Sequence, residues 1–207
     1  MARFLQATIL IVLVASSVTS VFGSPLVENN LVARQVDRNI IYIEDADRFC
    51  MIMPRLPNIN IDNSKYPGVA QTYCSPAARK SPEQGEFPPY FWSNIEFSAG
   101  ENYVQLTGCI RPESFNRLNP SDKGGQSDSS GGPRGLGEPV GSTCLGFNHY
   151  IELVEPRSRR ACIRCCDNPQ DCPTDLARAG CPVVIPGNYF DCGYNNRWTH
   201  RDRLKPY

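Results

Sequence analysis

The chain carries two histidines, His149 and His200, in 207 residues. That scarcity removes most chemistry that leans on imidazole. A serine nucleophile needs a histidine base held in place, and a histidine-ligated zinc needs a pair at matched spacing. Charge of one sign is equally lacking: 21 Lys and Arg stand against 21 Asp and Glu. A balanced chain has no broad field to draw it onto nucleic acid or an anionic surface, so nucleic acid is not expected as a partner. After the first apolar run there is no second one, so no membrane insertion is expected. An N-x-S/T sequon is also missing.

What the chain does have begins with "MARFLQATILIVLVASSVTSVFGS". One positive charge, Arg3, precedes an apolar run from Ala7 to Ala15, and small residues follow. Val21 and Gly23 occupy the minus-three and minus-one positions of a cleavage after Gly23. This is the layout of a secretory signal peptide over residues 1–23. The run is too short for a spanning helix, which needs roughly 20 apolar residues. The expected location is therefore secreted and extracellular.

All ten cysteines follow that segment: Cys50, Cys74, Cys109, Cys144, Cys162, Cys165, Cys166, Cys172, Cys181 and Cys192. Four of them crowd into "ACIRCCDNPQDC". Cys162 and Cys165 have the C-x-x-C spacing of a zinc site or a redox motif. No second such pair and no nearby histidine completes a metal site. An even count in a secreted chain reads instead as a disulfide framework of five bridges, whose pairing sequence alone leaves open. No metal is expected.

The organisation follows from turn residues and strand signals. Residues 24–48 form an expected N-terminal arm, in which "NIIYI" is suited to an edge strand. A cysteine-rich β domain is expected over 49–192. "FCMIMP" reads as a strand ended by Pro54, and "IDNSKYPGVAQTYC" as turn residues followed by a short strand into Cys74. "YFWSNIEF" (90–97) and "NYVQLTGCI" (102–110) predict a hairpin across "SAGE". In its second strand Tyr103, Gln105 and Thr107 alternate with Val104 and Leu106, which predicts one buried and one solvated face. Residues 119–142 are a Gly/Ser-rich loop expected to stay mobile or wrap the surface. "FNHYIELVEP" and "ACIRCCD" predict a second hairpin around "RSRR". A short helix is expected from Thr174 to Gly180, and 193–207 is a polar tail. Eighteen prolines and 16 glycines argue against a helical bundle. The fold class is mainly β: a disulfide-rich, loop-rich single domain with antiparallel hairpins.

Motifs for catalysis are weak. "SDSSGGP" (127–133) is similar to the G-D-S-G-G-P nucleophile segment of trypsin-like proteases, with one residue too many between Asp128 and Gly131. Both histidines lie downstream of the serine, the reverse of that family's order. His149, on a strand face shared with Ile151 and Leu153, reads as a partly buried structural residue. No catalytic residue and no cofactor is expected. Aromatics offer a better lead: in "PPYFW", Tyr90 and Trp92 share one side of an extended segment and Phe91 takes the other. Tyr90 and Trp92, with Trp198 in the tail, are the candidate ligand-binding residues, suited to a sugar ring or a partner protein; burial of both sides of "PYFW" in the core is the commoner fate of such large aromatics.

At "CIRPESFNRLNPSDKGGQSDSSGG", "ACIRCCD" and "DCPTDLARAGCPVVIPGNYFDC" the chain resembles small secreted cysteine-rich proteins of fungi, over roughly residues 49–192. The resemblance implies a secreted fungal protein with no catalytic residues to carry over, some of its kind being candidate effectors. The expected function is an extracellular interaction protein, with an unknown extracellular protein or polysaccharide as partner. A carbohydrate-binding wall protein is the alternative, and a protease inhibitor a further one.

Overall fold

The computed structural model describes residues 39–130 and 139–192. The expected signal peptide, most of the arm, and the tail with Trp198 and His200 lie outside the described residues.

Ten strands carry the fold: β1 (Ile40–Ile43), β2 (Phe49–Pro54), β3 (Ala70–Cys74), β4 (Gly85–Glu86), β5 (Trp92–Ala99), β6 (Tyr103–Ile110), β7 (Gly125–Asp128), β8 (Thr143–Cys144), β9 (His149–Glu155) and β10 (Arg160–Cys166). Two one-turn helices are added, α1 (Ile61–Ser64) and α2 (Cys181–Val184). The protein is mainly β, as its β-branched and aromatic runs require. The first sheet has the order β4-β3-β2-β1-β8 and the second β5-β6-β10-β9-β7. Both predicted hairpins form: β5 pairs antiparallel with β6, and β9 with β10. The turn between β9 and β10 is a 3-10 turn closed by Arg159 at φ 55°.

The sheets meet over one apolar core. Ile41, Met51 and Met53 come from the first sheet, and Leu106, Tyr150, Val154 and Ile163 from the second. Phe87, Phe91 and Phe115 close one end as an aromatic cluster, with Phe87 stacked on Phe91 at 4.7 Å between ring centroids. The opposite face of β9 and β10 carries a second apolar cluster: Ile151, Leu153, Cys162 and Cys166 pack against Cys172, Cys181, Val184 and Ile185. Residues 167–192 thus lie over the second sheet and cover it.

The crowded cysteines follow from strand pleat. Successive side chains on a strand point to opposite faces. Cys165 points toward the first sheet and bridges Cys144 on β8. Its neighbours Cys162 and Cys166 point the other way and bridge Cys181 and Cys172 in the covering segment. Cys109 on β6 bridges Cys192 at the end of that segment. Cys50 and Cys74, directly opposite each other in the β2–β3 ladder, form the fifth bridge. All ten cysteines are paired. One bridge ties sheet to sheet, three fasten the cover, and one locks the first sheet internally.

Three expectations are corrected. The strand in "NIIYI" is not at an edge: β8 runs parallel beside β1, so β1 lies between β8 and β2. The Cys144–Cys165 bridge holds β8 there. The Gln105 and Thr107 face of β6 is not solvated: the two are 4% and 1% exposed. Gln105 Nε2 donates to Pro186 O at 3.0 Å, and Asn188 N donates to Thr107 Oγ1 at 3.2 Å. Polar alternation there marks a contact with the covering segment. The Gly/Ser-rich stretch is not all loop. Asp122 is buried and its Oδ2 accepts from Ile61 N at 2.7 Å, at the start of α1. Then β7 joins the edge of the second sheet with Gln126 and Ser127 buried. A Cβ at Gly124 would sit 2.2 Å from Val154 O, so this glycine permits a close backbone approach. The predicted helix after Thr174 is a 3-10 segment, Thr174–Ala179, ahead of α2.

Candidate functional site

The aromatic candidates do not assemble into a platform. Phe91 N donates to Pro88 O at 3.0 Å, closing a turn ahead of β5. The chain is therefore not extended through Tyr90, and side chains do not alternate as predicted. Phe91 and Trp92 both reach the core: Trp92 meets Phe49 edge-on at 6.1 Å and Phe91 at 5.4 Å. Its indole N–H is buried without a partner. Tyr90 is half-buried, and Arg111 Nη1 donates to the Tyr90 and Trp92 carbonyls at 3.2 and 3.0 Å. Trp198 lies outside the described residues.

The described part of the protease-like segment is engaged in hydrogen bonds to the backbone. Ser129 Oγ accepts from Tyr150 N at 2.9 Å, and Asp128 Oδ1 accepts from Ser130 N at 2.7 Å. These bonds shape the end of β7. His149 is half-buried at the start of β9. Among the described residues, no His, Cys, Asp and Glu cluster is suited to a metal ion, and no helix is long and apolar enough to cross a membrane. One carboxyl is unusual. Glu152 is 1% exposed and points into the intersheet core. Burial pushes its pKa up to about 8, opposed by a hydrogen bond from Ile52 N to Oε2 at 3.0 Å. It links the sheets, and its burial keeps it from any ligand.

Open chemistry lies instead at the rim of the first sheet. A groove of about 460 Å³ is lined by Arg55, Arg79, Arg117, Tyr73, Asn116 and Glu86, among others. The local sequence explains its build. Pro54 ends β2, and Arg55 N then donates to Val69 O at 2.7 Å, which places Arg55 at the strand's exit. Asn58 N and Ile59 N donate to Asn116 O and Arg117 O at 2.9 and 3.2 Å, which fixes the Arg117 segment beside it. Tyr73 on β3 stands at the floor, its ring edge-on to Phe115 at 5.0 Å. Gly85 on β4 lies against that ring; a Cβ there would come within 2.2 Å of it. The ring is thereby held with its hydroxyl toward the arginines. Burial raises the Tyr73 pKa, while the Arg117 charge and its hydrogen bond, and the Arg55 charge, oppose that rise.

The three arginines differ in duty. Arg79 is committed to structure: its Nε donates to Gln84 O at 3.0 Å and its Nη1 pairs with Glu86 at 3.4 Å. Arg55 and Arg117 have no carboxylate partner among the described residues. The groove thus sets three guanidinium groups against one carboxylate. Sequence reasoning missed it because Arg55 and Arg117 sit in ordinary turn segments, "MPRLP" and "FNRLN", far apart in the chain. Only the pairing of 58–59 with 116–117 brings them together.

No family model, no curated protein and no solved structure matches this chain.

Proposed function

We propose that the protein works outside the cell as a disulfide-stapled interaction protein, a binder rather than an enzyme, with the arginine groove as its contact face. Five bridges suit an oxidising, extracellular setting. The observation that carries the reading is the groove itself: two arginines without carboxylate partners among the described residues, set at the rim of a bridged sheet, in a chain with no net charge. A fixed cationic concavity recognises a ligand without needing reactive groups. The resemblance to fungal secreted cysteine-rich proteins extends this to an effector at a host interface or a protein of the fungal surface.

A wall-polysaccharide ligand is the second reading, favoured by the polar side chains Gln71, Gln84 and Asn116 around the groove. The test is a panel. Oxidised protein is sedimented with chitin, β-glucan, cellulose and acidic polysaccharides, and incubated with generic hydrolase substrates. Retention or partner capture without turnover supports a binder. Turnover of any substrate by the purified protein removes this reading.

A further inference from the structure

We propose that the groove between Arg55 and Arg117 is a subsite for the carboxylate groups of a uronic-acid polysaccharide. This rests on the reading of the protein as an extracellular binder. Four observations converge on it.

The charge is unbalanced locally. Glu86 is engaged by Arg79, which leaves exposed Arg55 and half-buried Arg117 without a carboxylate partner among the described residues. A planar guanidinium offers parallel N–H donors that match a carboxylate in a two-point contact. Two such groups over one groove can clasp one carboxylate from both sides or hold two neighbouring ones along a polymer.

The floor is a fixed polar point. Tyr73 is 5% exposed, packed on Phe115 and pressed by Gly85. Its hydroxyl lies close enough to Arg117 and Arg55 for their charges to oppose the rise that burial gives its pKa, so the ring is a rigid polar point beside both guanidinium groups. Pre-organised donors retain affinity that mobile side chains lose on ordering.

The surroundings suit a sugar. Asn116 and Gln71 line the same groove. An amide both donates and accepts, as ring hydroxyls require. The Gln71 Nε2 already donates to Glu83 O at 2.8 Å, so its carbonyl oxygen is the end left to meet a hydroxyl.

The shape suits a polymer. The groove lies at a sheet rim, lined by strand ends and turns, and its volume of about 460 Å³ falls in the usual range of ligand sites. A chain with no net charge will not collect polyanions over its whole surface, so binding of a polyanion must come from a local site of this kind.

The experiment is electrophoresis of the oxidised protein through native gels containing polygalacturonate, fully methyl-esterified polygalacturonate, or dextran sulfate. Esterification keeps the sugar backbone and removes the carboxylate charge. The proposal expects retardation in polygalacturonate and none in the esterified polymer. Arg55→Gln, at an exposed position, should weaken binding about tenfold, since a charge-assisted contact is lost. Arg117→Lys keeps the charge and loses the fork, and should also weaken it. Lys123→Gln, which removes a charge elsewhere, should leave it unchanged. Equal retardation in acid and esterified polymer, or unchanged binding in Arg55→Gln, overturns the carboxylate subsite while a binding role survives. Stronger retardation in dextran sulfate that Lys123→Gln weakens as much as Arg55→Gln shows unspecific charge attraction and also overturns it. No retardation in any gel overturns it as well, and returns the search to a protein partner.

Discussion

Glu152 makes the pH dependence of folding a sharp test of the intersheet core. In the unfolded chain this carboxyl titrates near its ordinary value of 4.5; in the fold it titrates at about 8. Between those values the unfolded chain has lost a proton that the folded chain keeps. Stability from this group is therefore full below about pH 4.5, declines as pH rises, and levels off above about pH 8. Each pH unit is worth about 1.4 kcal/mol, so the whole span costs about 5 kcal/mol, a large part of a domain's stability. Glu152→Gln removes the titration, and its Oε1 can still accept the bond from Ile52 N. Urea unfolding with bridges intact, from pH 4.5 to 8.5, measures the difference between the two proteins. Asp45 and Glu113, whose pKa values are lowered by Arg48 and Arg159, change stability with the opposite sign but equally in both proteins, so they cancel. The variant should match wild type near pH 4.5 and exceed it by several kcal/mol at pH 8. Parallel curves across the range would refute the buried, protonated carboxyl and with it the packing of the two sheets around β9.

Other outcomes follow from the same structure. Peptide mapping without reductant should recover Cys50–Cys74, Cys109–Cys192, Cys144–Cys165, Cys162–Cys181 and Cys166–Cys172; any other pairing of Cys165 contradicts the sheet-to-sheet bridge. Replacing Cys144 and Cys165 together by serine should cost about 3 kcal/mol in denaturant unfolding. Arg164→Ala should cost about 2–3 kcal/mol by the same assay. It strips Gln105 Oε1 of two donors at 2.9 and 2.6 Å and Asp171 O of one at 2.8 Å, loosening the covering segment. Trp92→Ala should lower stability by about 3 kcal/mol, the scale of an aromatic truncation in a core, and leave polysaccharide binding intact once the fold is verified.

Much of the fold was legible because strand signals are local. Most of "NYVQLTGCI", "FNHYIELVEP" and "ACIRCCD" became strand, as did "YFWSNIEF" from Trp92 on, and both hairpins closed where turn residues predicted. The failures share one physical cause: a local pattern does not say what covers it. Gln105 and Thr107 alternate like a solvated face, but the covering segment supplies their hydrogen-bond partners from more than seventy-five residues away. Gly124 and Gly125 carry the composition of a mobile loop, but here small size admits the Val154 carbonyl and the Asp62 side chain. "PPYFW" reads as an extended segment with alternating sides, but the Pro88 carbonyl accepts from Phe91 N and closes a turn that nothing local announces. The groove was the least legible feature of all. Arg55 and Arg117 acquire meaning only when two distant turns pair, and single arginines beside proline and asparagine are ordinary surface residues in any chain.

Mapping of backbone amide shifts in the oxidised, isotopically labelled protein, titrated with trigalacturonate, tests the proposed binding face most directly. Saturable shifts should be confined to Arg55, Gln71, Tyr73 and residues 115–117, with the covering segment 167–192 unmoved. Shifts centred on the covering segment or on Trp92, or no shifts at millimolar ligand, would contradict that binding face.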